Sequence, residues 1–262
     1  MHQALFSLVN DVEIAESCSQ TLKRIDQLLW NRTLLRNAST WDPYLRRMSG
    51  YGNAALDGAL MPVDPLVEPD SSPMGDLANK GLMITAETVV QTSIFVRTPL
   101  QVWARLHSMI EAENSERGRP RHSDVVEDPL HIGDVVPHEF VEGRLNSLVE
   151  VIQDAQLPTL FTAAIAHAEL ATVRPFTRGS YLIARVTPRL VMASRELDEH
   201  GWTIPEFGMH LLGRASYVRA LGAYRSGTLT GMREWIDWHN SALLRGALTC
   251  EELTKTQPVL EN

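Results

Sequence analysis

The stretch AAIAHAELATVRPFTRGSYLIAR, Ala163 to Arg185, constrains the fold of this chain more than any other. It reads as an apolar helix, a Pro-Phe turn, a glycine and then a second helix. The remaining chain is also mostly helical in period. From Val12 to Leu35 the apolar residues Ile14, Cys18, Leu22, Ile25 and Leu29 recur at three- and four-residue steps, which predicts an amphipathic helix. A shorter helix is expected from Thr40, as N-cap, to Met48. The segment from Gly50 to Gly75 is dense in Gly and Pro, with room for a two-turn helix at NAALDGAL. Helical pattern resumes from Asp76 to about Val96, and Pro99, Pro137 and Pro158 each open a helix in its first turn. Another helix runs from about Ser180 to Leu197, and two or three more carry Tyr217, Leu221, Tyr224 and the run MREWIDWHNSALL. Between Pro120 and Pro137 the pairs Val125–Val126 and Leu130–Ile132 predict one short β-hairpin. The expectation is an all-α chain with that hairpin, organised as a single domain over residues 1–262.

Composition narrows the function classes. Hydrophobic residues make up 44% and charged residues 21%, an ordinary globular balance, and aromatics are scarce at 6%. Lys and Arg number 24 against 32 Asp and Glu, a formal charge of -8, which argues against a nucleic-acid surface. Cys18 and Cys250 lie far apart and fit a reducing compartment better than a disulfide framework. The N-terminal residues carry no basic leader, and no window approaches the ~18 consecutive apolar residues of a membrane span. A soluble, cytoplasmic protein is expected, with neither nucleic acid nor membrane as partner.

Several local patterns carry no chemistry. GYGNAA (Gly50–Ala55) lacks the preceding buried strand of a dinucleotide-binding turn. HAEL (His167, Glu169) and HEF (His138, Glu139) lack the i, i+4 histidine pair of a zinc-protease helix. His107 and His131 read as structural or surface residues, and the Trp235–Trp238 pair reads as core.

The central stretch resembles the middle of Fic (Fido) proteins, where a helix of the type AHxQFExIHPF leads into a GNGRxxR turn. Ala166 and His167 stand at the family's Ala-His, Val173 at the apolar residue before the motif, and Pro175 and Phe176 at its Pro-Phe. Gly179 takes the first glycine and Arg185 the last arginine, so the motif over 174–185 is RPFTRGSYLIAR. The likeness extends to most of the chain, residues 12 to 250. HEFVEGRLNSLVEVIQDAQLPTLFTAA is similar to the helix before the motif helix. LQVWARLHSMIEAE with GRPR and the apolar hairpin is similar to the family's helix, Arg-bearing turn and flap, which places the flap at 120–137 within a core of residues 98–200. NAALDGA, residues 53–59 within the N-terminal helices of 12–75, resembles the inhibitory helix, and residues 201–262 supply C-terminal helices.

Fic proteins typically transfer AMP, or another phosphate-containing group, from a nucleotide to a protein hydroxyl. The resemblance implies a histidine as base, an acid for magnesium, a glycine-asparagine nest for phosphates and an arginine for the terminal phosphate. Here Arg174 stands at the histidine, and a guanidinium with a pKa above ~12 cannot accept a proton at neutral pH. Arg178 replaces the acid and repels Mg²⁺. Ser180 and Tyr181 replace Asn and the second Gly, and Leu182 replaces the phosphate-pinning arginine. Losing the base alone costs about 10²–10⁴ in rate. Pro188, inside the second helix, should kink it.

These departures imply a pseudoenzyme with no catalytic residues and no metal site. Arg174, Arg178, Gly179, Ser180 and Arg185 become an expected anion or nucleotide site, taking ATP without Mg or a phosphorylated ligand. The alternative is that the new arginines face solvent or pair with local acids. Asp57 is the expected regulatory residue, salt-bridged to Arg185, and a protein partner is expected at the flap. Two rival readings stay open: a metal-free arginine-pocket transferase, with His131 the nearest substitute base, and a helical interaction scaffold.

Overall fold

Helices make up every regular element among residues 8–113 and 115–256, the residues that the computed structural model describes. They are α1 (Val12–Leu29), α2 (Arg32–Arg36), α3 (Ala38–Leu56), α4 (Pro73–Phe95), α5 (Pro99–Ile110), α6 (Val141–Gln153), α7 (Thr159–Val173), α8 (Ser180–Ser194), α9 (Pro205–Leu212), α10 (Arg214–Arg225) and α11 (Leu229–Thr256). A 3-10 turn, His138–Phe140, precedes α6, so the helix at Pro137 starts later than its proline suggests.

The pair α7–α8 forms the centre. Every residue from Leu160 to Ala171 and from Ser180 to Ala193 is buried. Five alanines of α7 (Ala163, Ala164, Ala166, Ala168, Ala171) keep that helix thin enough for α6, α8, α10 and α11 to pack around it. On the other side of α8 lie α4, α5 and α3. An outer layer joins α9 and α11 at backbone contact: a Cβ on Gly246 would stand 2.1 Å from the Thr203 carbonyl oxygen. Helix α11 in turn packs on α1, tied by Arg233 to Asp11, the N-cap of α1, at 2.6 Å.

Several boundaries differ from the sequence reading for local reasons. The first helix stops at Leu29 because the Asn31 carboxamide accepts the N–H groups of Thr33 and Leu34 and starts α2 afresh. Thr40 is not an N-cap; α3 begins at Ala38 and runs past Pro43 to Leu56. NAALDGAL is therefore no separate helix. It is the last turn of α3, closed at Asp57, with Gly58 at φ 114 leading out. Helix α8 runs on past Pro188, as expected, and stops at Ser194, three residues short of Leu197. The neighbouring Thr187 hydroxyl donates to the Ile183 carbonyl at 2.8 Å and accepts from Trp103 Nε1 at 3.1 Å.

The expected hairpin at 120–137 is absent: no strand occurs among the described residues. Side chains and the α7–α8 turn, not a partner strand, satisfy this backbone: the Arg121 and Glu127 N–H groups donate to the Pro175 and Thr177 carbonyls, each at 2.8 Å. Arg121 donates to the carbonyls of Ser123 and Val136, closing the segment at its base, and to those of Val173 and Arg174. Asp128 accepts the N–H groups of Ile132 and Gly133. The segment is an irregular loop stapled by its own charged residues.

Three histidines are built into this core. His107, on α5, is buried against Phe176, on which its ring stacks at 4.0 Å. His167 and His239 are buried side by side near Tyr217 and Trp235, and both ring nitrogens of His239 lack a hydrogen-bond partner. Burial holds all three neutral, with His107 pushed down to about 4, His239 to about 3 and His167 well below its ordinary value. In the unfolded chain each titrates near ~6.5. The unfolded state therefore gains protons first as pH falls, and stability is lost from about pH 6.5 downwards. Between about pH 5.5 and 4.5 the unfolding free energy should fall by up to about 4 kcal/mol per pH unit, the ceiling of about 1.4 for each histidine. Urea titrations across that range check this, and replacing His239 with Leu should remove about a third of the slope.

Candidate functional site

The α7–α8 turn collects the residues that the sequence singled out. Helix α7 ends on Arg174, which takes the left-handed conformation at φ 46, unusual for a residue with a Cβ. Pro175 and Phe176 follow, and the Ser180 hydroxyl closes the turn by donating to the Phe176 carbonyl and accepting its N–H, at 2.9 and 3.0 Å. Gly179, at φ 70, is the N-cap of α8 and has no side chain to cap it, so the first turn of α8 meets a cavity of about 480 Å³.

The cavity wall includes Arg178, Gly179 and Ser180, but neither Arg174 nor Arg185. Arg185 is fully buried behind Asp57. The pair is bidentate, Nη1 to Oδ1 at 2.9 Å and Nη2 to Oδ2 at 2.6 Å, and Asn53 Oδ1 takes Nε at 2.7 Å. Asn53 also donates to the Leu182 carbonyl at 3.1 Å, so the last turn of α3 is bolted to α8 at two levels. Beyond Arg185 the polar chain continues into the core. Its guanidinium lies 5.9 Å from the Tyr217 ring centre, and the Tyr217 hydroxyl meets His167 Nε2 at 2.7 Å.

Arg174 turns the other way, under the loop. It is 2% exposed, with Nη2 donating to the Gly133 carbonyl at 2.6 Å and Nη1 3.3 Å from Asp128 Oδ2. The Tyr181 hydroxyl donates to the same carboxylate at 2.9 Å. Two departures from the Fic pattern, at the histidine and at the second glycine, thus converge on Asp128. Burial pushes the Asp128 carboxyl up, but the Gly133 and Ile132 N–H groups, Tyr181 and Arg174 outweigh it and hold the acid below its ordinary range.

Arg178 stays half-exposed, paired with Glu113 at 3.0 Å and within 3.5 Å of Glu111. All three arginines therefore have acid partners, the geometry of the second alternative for Arg174 and Arg178. The cavity itself is lined by Asp57, Glu111, Glu113 and Glu127 against Lys80 and Arg178, four carboxylates to two cations. His107 also lines it but offers no base. Its Nδ1 accepts the Gly118 N–H at 3.0 Å, which places the proton on Nε2. His131, the substitute base considered above, does not line the cavity. Magnesium, which the Fic pattern implies at the acid of the motif, does not fit the residues present, because a guanidinium stands there. Among the described residues no group of three potential ligands could hold a metal, and no helix is long and apolar enough to cross a membrane.

Sequence reasoning did not find Asp128, Glu111 and Glu113. Asp128 had a legible signal: an Asp-Pro step followed by Gly133 marks a turn whose carboxylate caps downstream N–H groups. Glu111 had none, since it lies in the tail of a helix.

The fold is similar to that of solved Fic structures. A Fic family protein from Desulfovibrio desulfuricans G20 superposes with a TM-score of 0.70 at 13% identity, covering 90% of this chain and 75% of that one. A Fic domain containing signaling protein from Bacteroides thetaiotaomicron VPI-5482 gives 0.62 at 15% identity, with 93% and 99% covered. Fic-1 of C. elegans, residues 134–508, gives 0.60 at 19% identity, with 95% and 75% covered. The sequence matches no protein-family model and no curated protein. This chain has the Fic fold.

Removing the acid from the Arg185 pair would leave a guanidinium buried without its counter-charge. Asp57→Ala should therefore lower the unfolding free energy by about 3–5 kcal/mol in urea denaturation, and Asp57→Glu by clearly less.

Proposed function

We propose that this protein is a Fic-fold binding module that has lost AMP transfer. The observation that carries this reading is Arg174: at the place of the motif histidine stands a buried guanidinium, turned away from the cavity and seated on Asp128 and Gly133. Such a group cannot take the proton of an attacking hydroxyl. With Arg178 at the acid's place and Leu182 at the pinning arginine's, the electrostatic stabilisation that phosphoryl-group transfer requires is also missing.

Binding is a different matter. A cavity of about 480 Å³ at the start of a 15-residue helix has the size and the N–H groups for a phosphate-bearing ligand such as ATP, taken without Mg. Arg178 can turn to such a ligand more readily than the buried arginines: its exposed pair with Glu113 is worth no more than ~1 kcal/mol, although turning also leaves behind the buried Glu111 carboxylate, 3.5 Å away. Arg185 can do so only if Asp57 leaves, which gives Asp57 its regulatory part. The loop segment Ser123–Val125 is exposed, with Val125 at 74%, and is the surface for a protein partner beside the cavity.

Incubation with ATP labelled at the α-phosphate, with Mg²⁺ or Mn²⁺ and a cell lysate, should give no transfer for wild type or Asp57→Gly. Labelling that persists in EDTA and disappears in Arg174→Ala would establish the metal-free transferase instead.

A further inference from the structure

The loop that covers Arg174 is held in an unusual way. Arg174 donates to the Gly133 carbonyl, Arg214 to that of Pro129, and Arg225 to those of Ile132 and Asp134. Three guanidiniums thus face residues 128–134, and among the described residues Asp128 alone gives any of the three an ion-pair partner. Arg174 is also incompletely satisfied: it is 2% exposed, yet its Nε has no hydrogen-bond partner. A buried, partly unpaired guanidinium held in a left-handed backbone is an expensive arrangement.

The loop is strained in turn. His131 lies at φ 54 and Gly133 at φ 95, and the bend between them depends on the Asp128 carboxylate, which accepts the Ile132 and Gly133 N–H groups at 3.1 and 3.0 Å. Leu130 is its one buried apolar anchor. Asp128 also sits one residue from the cavity on both sides, since Glu127 and Pro129 belong to the cavity wall, as does its partner Tyr181.

From this geometry we infer that residues 128–134 are a displaceable strap, in which the Asp128 carboxylate is an internal anion that yields its place on Arg174 and Tyr181 to a phosphate-bearing ligand. The inference rests on the reading of the cleft as a binding site. When the carboxylate swings away about Leu130, Arg174 opens to the cavity, and its free Nε–H and both Nη groups face an incoming anion. Ligand binding and strap release are then one event. A partner that reads the strap would sense whether the cleft is filled.

The test uses inorganic pyrophosphate and the full chain, by calorimetry and by hydrogen exchange of the amides of 130–134. Asp128→Asn should bind pyrophosphate at least ten-fold more tightly than wild type and exchange faster at Ile132 and Gly133, and adding Arg174→Ala should abolish the gain. Saturating pyrophosphate should also raise exchange at those two amides in wild type, an arm that needs no variant to fold. An ATP arm distinguishes a nucleotide from a free oligophosphate by a further gain in affinity. Pyrophosphate bound by wild type with full protection of Ile132 and Gly133, or a folded Asp128→Asn variant with unchanged affinity, would overturn the strap. Neither result touches the loss of AMP transfer, which the labelling assay reads separately.

Discussion

A guanidinium buried in a helical core needs a counter-charge and enough acceptors, or the helix that carries it cannot stay buried. Helix α8 and the turn before it place three such groups in succession, and each reaches a different neighbour. Arg174 takes the loop at 128–133, Arg185 takes Asn53 and Asp57 at the end of α3, and Arg189 takes Glu206 of α9 at 2.8 Å and Ser49 of α3 at 2.7 Å. The elements around α8 are therefore fixed by ionic partners as much as by apolar contact. Arg121 completes the set from outside by tying the base of the loop to the last carbonyls of α7.

Shape and charge are set apart around the cavity. A glycine turn and a helix start meet it beside the last turn of α3. The buried arginines are turned onto protein acids, and the cavity wall has more carboxylates than cations. A nucleotide entering it would meet no guanidinium that is not already paired. Affinity must come from exchanging partners, more readily at Arg178 than at Arg174 and Arg185.

Much of this was legible in the residues. The helical periods gave the all-α class, and the likeness of Ala163–Arg185 to the centre of Fic proteins gave the fold. The Asp57–Arg185 contact could be expected from the likeness of Asn53–Ala59 to an inhibitory segment. The loop at 120–137 could not be read. Its valines and isoleucine suggest strands, but the Arg121 guanidinium, the Asp128 carboxylate and the carbonyls of Pro175 and Thr177 take the backbone groups that a ladder would need. The join between α1 and α2 was missed for a smaller reason, a single Asn31 side chain that outcompetes the helical backbone. Partners that lie far apart in sequence, such as Arg178 with Glu111 and Glu113, leave no local trace.

The central claim is that Arg174 is spent on Asp128. A double-mutant cycle between Asp128→Ala and Arg174→Ala, read by urea denaturation near neutral pH, tests it most directly. A coupling of about 1–3 kcal/mol between the two sites is the predicted result. Additive effects, with a coupling indistinguishable from zero, would mean that the buried guanidinium does not depend on that carboxylate and would contradict the account.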